Sequence, residues 1–259
     1  LAIKKVYAST FKGDAKSLLG TTAHRIEEEK MAIILQEIVG QEYNSGRYYP
    51  SFSGVLKSIN YYPVSYMERN EGVAYLALGF GKTIVDGEKC LIISPKYPDI
   101  KPQFFSTKSI KDNSQINFYG LDFNTPNNID NDLSQFSLEN AENDGSLKWI
   151  GSVISKDDNT VKDSLAMPGL RFISFSPLLK WGNIPLAKII IDILELGKKS
   201  LGCPIEIEFA VNLKDDNKHE FYLLQIKPMV LTGFHSIKNT EKDLSKTFCK
   251  SQITLGDGN

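Results

Sequence analysis

The chain has 259 residues, with 30 Lys and Arg against 31 Asp and Glu and a formal net charge of -1. A balance this close to zero excludes both the basic excess of a dedicated nucleic-acid binder and the acidic excess of a disordered chain. Hydrophobic residues make up 41%, enough at this length for the core of one large domain or two small ones, and no apolar run is long enough to span a membrane.

The chain begins at Leu1, not Met, and enters a helix-like pattern at once, without a signal-peptide pattern. It reads as an excised or processed piece of a longer protein, with a removed tag as the alternative. Residues 14–30 have helical spacing, with Ala15, Leu18, Leu19, Thr22 and Ile26 on one side and Asp14 as a cap. The run from Met31 to Val39 is strand-like: Ile33, Ile34 and Leu35 are consecutive, as in a strand covered on both faces. A polar turn, Gly40 to Gly46, leads to an extended, aromatic-rich stretch over 47–62 that Pro63 ends. Within it, Ser51-Phe52-Ser53-Gly54-Val55 is a small-residue spot. Glycine there either lets the backbone approach a ligand or marks a bulge.

Val73 to Leu78 is apolar and fits helix or strand equally. Gly79 to Glu88 reads GFGKTIVDGE, and Lys89 to Ser94 follows as a strand. The Gly-Lys-Thr sequence suggests a phosphate loop, but position 76 is Leu76 where that loop needs glycine, and Ile84 occupies the third glycine position of a dinucleotide fingerprint. A plain tight turn is the better reading. From Lys111 to Asp144 more than a third of the residues are Asn or Asp. Such residues bond to their own backbone in turns, so about 101–146 is read as a surface insertion of short elements, pinned by Phe118, Tyr119, Phe123 and Phe136. Leu147–Ser155 and Thr160–Ser164 form a hairpin around Asp157-Asp158-Asn159, and Leu170–Phe175 is another strand. Pro185 opens the clearest helix, with polar positions at Lys188, Asp192, Glu195, Lys198 and Lys199, and Gly202 with Pro204 stops it. The order of elements indicates an α+β domain.

Three scattered cysteines, Cys90, Cys203 and Cys249, contain no Cys-x-x-Cys pair. They argue against structural zinc and suit a reducing cytoplasm. His24 and His219 sit in charged surroundings and read as solvated, and His235 is isolated from both. Any chemistry must therefore come from carboxylates, amides, lysines and backbone.

Ile205 to Val211 alternates strictly, and Phe221 to Lys227 alternates near its end, with a polar turn-prone segment between. An antiparallel hairpin would place Glu206 and Glu208 on one face of the first strand, and Gln225 and Lys227 on one face of the second. Magnesium is commonly held by one or two carboxylates together with substrate phosphates. An amide oxygen adds a neutral ligand and a lysine a point charge, which together suit phosphoryl transfer. The plain alternative is a half-exposed hairpin with a solvated polar face.

Lys30–Val39 (KMAIILQEIV), Ser53–Val55 (SGV), Gly79–Glu88 (GFGKTIVDGE) and Ile205–Pro228 (IEIEFAV…FYLLQIKP) occur in an order that resembles the nucleotide-binding domain of phosphoenolpyruvate synthase and pyruvate phosphate dikinase. The resemblance spans about residues 15–100 and 145–230. It implies an ATP-grasp-like α+β fold, an antiparallel sheet with flanking helices, with residues 1–235 as its later part and 236–259 as a polar tail or the start of a linker. Gln36, Glu37 and Val39 would then border adenine, and Ser53 and Gly54 would lie near the nucleotide. Glu208 and Gln225 would hold Mg2+, with Glu206 beside them. Lys227 would meet the transferred phosphate of ATP, at a position where the family usually has arginine. Lys82 likewise stands where the related synthases usually show glutamate. The family's first-lobe Val-Arg-Ser-Ser-like segment is absent, as is the setting of its phosphohistidine, so the fold is expected to be incomplete with the first lobe largely missing. The implied activity is that of the parent: phosphate passes from Mg-ATP through a histidine on another domain to pyruvate, in the cytoplasm, without nucleic acid or membrane. A phosphotransferase with a different acceptor and a degenerate, non-catalytic module are the other readings.

Overall fold

The computed structural model describes residues 2–13, 31–43, 45–64, 67–124, 133–181, 184–215 and 218–229. The chain divides into two units, Leu1–Ile38 and Val39–Asn259. The first contains α1 (Ala2–Ser9), an exposed helix with no buried residue. The helix expected over 14–30, together with His24, His235, Cys249 and the tail 236–259, lies outside the described residues. The strand expected from Met31 to Val39 is not formed: residues 31–40 have no regular secondary structure. Ile34 and Leu35 lie open, 88% and 81% exposed, while Met31, Ile33 and Val39 are half-buried. A strand needs a neighbour to satisfy its backbone groups and cover its side chains, and no described strand pairs with this stretch.

Among the described residues the second unit has twelve strands in three antiparallel sheets. The strands are β1 (Gln41–Glu42), β2 (Arg47–Tyr49), β3 (Phe52–Lys57), β4 (Val73–Ala77), β5 (Leu91–Ile93), β6 (Asn117–Asp122), β7 (Ser134–Ser137), β8 (Gly151–Ser155), β9 (Val161–Lys162), β10 (Gly169–Ile173), β11 (Ile205–Asn212) and β12 (Glu220–Pro228). The largest sheet has the order β12-β11-β3-β4-β5. A four-stranded sheet runs β1-β2-β6-β7 and a three-stranded one β10-β8-β9. Five described α-helices accompany them, α2 (Lys82–Val85), α3 (Thr107–Asn113), α4 (Leu138–Asn143), α5 (Ser176–Trp181) and α6 (Leu186–Leu201), with two short 3-10 helices at Arg69–Glu71 and Leu147–Trp149. The α+β class is therefore as read. The ambiguous stretch 73–78 is a strand, and the 47–62 stretch splits at Pro50 and Ser51 into two strands that join different sheets. Among the described residues no helix is long and apolar enough to cross a membrane.

One face of the five-stranded sheet carries the core. Phe52, Leu56, Ala74, Leu76, Leu91, Ile93, Ile205, Ile207 and Phe209 are all buried on it. Helix α6 covers part of this face through Ile190, Leu194 and Gly197, and Gly197 leaves room for the Ile205 methyl. Gly202 ends that helix in a left-handed conformation, as glycine at this position does.

The Asn/Asp-rich region is not a peripheral insertion. Its elements are short, but β6 pairs with β2, and Phe118 is fully buried against Tyr49 at 4.6 Å between ring centroids. Asp144, in the same region, accepts bonds from Arg47 Nε and Nη2, Ser45 and Tyr49. Phe118 and Phe136 pin the segment to the core as expected, while the anchoring by Asp144 was not foreseen.

A second polar cluster lies behind β8 and β10. Asp163 accepts from Ser152 and Lys180, Ser152 bonds Ser174, and Lys101 donates to Ser176. Burial, with Lys180 nearby, pulls the Lys101 pKa down from 10.5 to about 8. Below pH 8 the lysine is charged in both folded and unfolded chains. Between about pH 8 and 10.5 the unfolded chain holds more protons than the folded one, so stability gained from this group rises with pH across that window. Chemical denaturation of the wild type should show that rise, and Lys101→Met should lack it.

Candidate functional site

The register of the large sheet determines what meets on its other face. Glu206 of β11 pairs with Lys57 of β3 on one side and Lys227 of β12 on the other. Glu208 pairs with Val55 and with Gln225. Paired residues of antiparallel strands project to the same side, so Lys57, Glu206, Glu208, Gln225 and Lys227 share one face, opposite the core. The expected hairpin is formed, and its four polar residues are brought together. Between Glu208 and Phe209 the register shifts, and Leu224 is the extra residue of a bulge. That bulge explains why alternation holds only near the end of β12: Leu223 and Leu224 are consecutive apolar residues.

The Lys227 ammonium lies 2.9 Å from Glu206 Oε1 and 3.4 Å from Glu208 Oε1. Lys57 Nζ is 3.5 Å from Glu206 Oε2. The Glu206 carboxylate, with that of Glu208, holds the Lys227 pKa above the ordinary lysine value. The carboxylates are only partly covered, Glu206 20% and Glu208 34% exposed, so a ligand can reach them. Lys57 was not foreseen. Local sequence carries no signal for it, since the rest of β3 is buried on both faces, and its role becomes visible only once β3 is known to lie beside β11.

Two carboxylates that converge on one ammonium form a donor set able to converge on one metal ion. With the Gln225 amide facing Glu208, they match the oxygen ligands that magnesium takes. No group of three or more His, Cys, Asp and Glu suited to a metal occurs among the described residues, so remaining ligands would have to come from a bound phosphate and water. Lys227 would compete for the same oxygens.

The other expected site residues are placed differently. Gln36 and Glu37 lie exposed in the irregular stretch of the first unit, and Val39 is half-buried at the start of the second. Ser53 is buried, and its hydroxyl donates to the Gly79 carbonyl at 2.7 Å. Gly54 does not open space for a ligand on the core side, nor is it a bulge. Its pairing with Leu76 and Phe209 is regular, and the Phe209 ring fills the room its missing side chain leaves. The GFGKT segment is not a plain tight turn: only Gly79–Gly81 turn, and Lys82 and Thr83 already belong to α2. Gly79 has φ +76° beside the Tyr119 carbonyl, a conformation and a closeness that favour glycine. Lys82 pairs with Asp86 and lies over the Tyr119 ring. His219 is half-buried, not fully solvated: its Nδ1 accepts the Lys214 backbone N–H, and its ring meets Trp149 edge-on.

The antiparallel sheet has its core on one side and partly open carboxylates, lysines and an amide on the other. The family model described as pyruvate phosphate dikinase, AMP/ATP-binding domain, matches residues 1–247. The chain belongs to that family and is the AMP/ATP-binding part of a pyruvate phosphate dikinase-family enzyme. No curated protein matches it.

Proposed function

We propose that the open face of the five-stranded sheet binds the phosphates of Mg-ATP, as one lobe of an ATP-grasp site. The observation that carries this reading is the convergence of Glu206 and Glu208 on a single positive charge, at 2.9 and 3.4 Å from Lys227 Nζ. Glu208 and Gln225 hold Mg2+, and Glu206 stands beside them. Magnesium, when bound, neutralises phosphate charge. Lys227 contacts the transferred phosphate; lysine retains the charge of the family's arginine but not its two-pronged geometry. Val39 borders the adenine, largely through backbone groups, and Ser53 and Gly54 lie in the central strand of the sheet that carries the site. The whole protein passes phosphate from ATP, by way of a histidine on another domain, to pyruvate in the cytoplasm.

Calorimetry with Mg-ATP tests the site. Glu208→Gln should weaken binding about tenfold to hundredfold, the cost of losing a charged ligand, with little change in melting temperature because Glu208 lies outside the core. Equal affinity in variant and wild type would remove the metal role and favour a degenerate module.

A further inference from the structure

Lys57, Glu206 and Lys227 form one cross-strand row over β3, β11 and β12. The two lysines hold opposite oxygens of the same carboxylate, Lys227 on Oε1 and Lys57 on Oε2. Lys57 is also aligned by Tyr75, with Nζ 5.5 Å from the ring centroid. We propose that Lys57 is a second phosphate-binding residue, and that Glu206 positions it with Lys227 as a two-ammonium clamp for the terminal phosphates of the nucleotide. The proposal rests on the nucleotide reading of this face.

Donor count favours the clamp, and the two lysines balance Glu206 and Glu208 on a face that is only partly covered. Each ammonium has three N–H donors, so each retains donors after its bond to Glu206. A phosphate lying over the row would meet one ammonium on each side of Glu206. The pair thereby restores the two-pronged grip that a guanidinium has and a single lysine lacks. Glu206 keeps the two like charges together, which would otherwise repel. As plain ion pairs on a sheet face, these interactions would contribute little to stability, and nucleotide affinity would not depend on Lys57.

The test is calorimetry with Mg-ATP and with AMP on wild type, Lys57→Met, Lys57→Arg and Glu208→Gln. Lys57→Met should weaken Mg-ATP about tenfold and leave AMP, which lacks the terminal phosphates, unchanged. Lys57→Arg preserves the charge and stem and should bind Mg-ATP at least as well as wild type. If Lys57→Met binds Mg-ATP normally while Glu208→Gln does not, the clamp is refuted and the nucleotide reading stands. If Lys57→Met weakens AMP and Mg-ATP alike and Lys57→Arg does not rescue, Lys57 is structural and the clamp is again refuted. If wild type binds no nucleotide, both fall.

Discussion

Replacing Asp144 by alanine should cost the domain about 3 to 5 kcal/mol, the range for removing one partner of a buried ion pair. The Asp144 side chain is 2% exposed and Arg47 16%. The guanidinium grips both carboxylate oxygens at 2.8 and 2.9 Å, and Ser45 and the fully buried Tyr49 donate to the same group. Alanine would leave Ser45 and Arg47 without this acceptor and the arginine without its paired carboxylate, whereas Tyr49 keeps Ser146 Oγ at 3.0 Å. Asp144→Asn keeps the shape and should cost less. Acid should reproduce part of the loss in the wild type. Burial alone would raise the Asp144 pKa, but the bonds from Arg47, Ser45 and Tyr49 outweigh it and hold it below 3.8. A depressed carboxylate contributes its stability above the unfolded pKa and loses it as pH falls through the folded one. Urea denaturation below pH 3.8 should therefore show a steeper loss in wild type than in Asp144→Asn. Equal stabilities of wild type and Asp144→Ala at neutral pH would refute the hub.

The same residue marks the limit of what could be read from the chain. Asp144 sits in a stretch whose Asn and Asp content indicates turns, and its partners Ser45, Arg47 and Tyr49 lie about a hundred positions away. Local composition carries no trace of such long-range pairing. Periodicity was more informative where one face is buried and the other open. The alternation of Ile205 to Val211 and the later part of β12 places Glu206, Glu208, Gln225 and Lys227 together without any knowledge of the rest. Helix α6 was legible for the same reason, with Pro185 and Gly202 marking its ends. The strand expected at Met31 to Val39 is not formed, because an apolar run alone does not supply the pairing neighbour a strand needs, and none of the described strands pairs with it. Lys57 was missed because its role depends on which strand lies beside it, a property of topology.

Gly54→Ala should destabilise the domain by about 1 to 3 kcal/mol, the cost of overpacking a filled core, even though alanine adds a single carbon. A Cβ at this position would stand 2.3 Å from Phe209 Cε1 and Cζ, and 2.9 Å from the Tyr75 carbonyl oxygen. The ring has little freedom to yield. It is 1% exposed, stacked on Phe221 at 4.7 Å, and edge-on to Phe52 at 6.2 Å. Phe209 also follows Glu208 directly, at the bulge where the register of β12 shifts. Pushing the ring strains the strand that carries both carboxylates, so Mg-ATP affinity should fall together with stability. Shrinking the ring separates this cause from a backbone effect of losing glycine. The double variant Gly54→Ala with Phe209→Leu should be more stable than additivity of the two single changes predicts, since leucine vacates the space the new methyl needs. Strict additivity in the denaturation midpoints would mean that Gly54 is required for its backbone alone, and that the packing of Phe209 on β3 does not hold Glu208 in place.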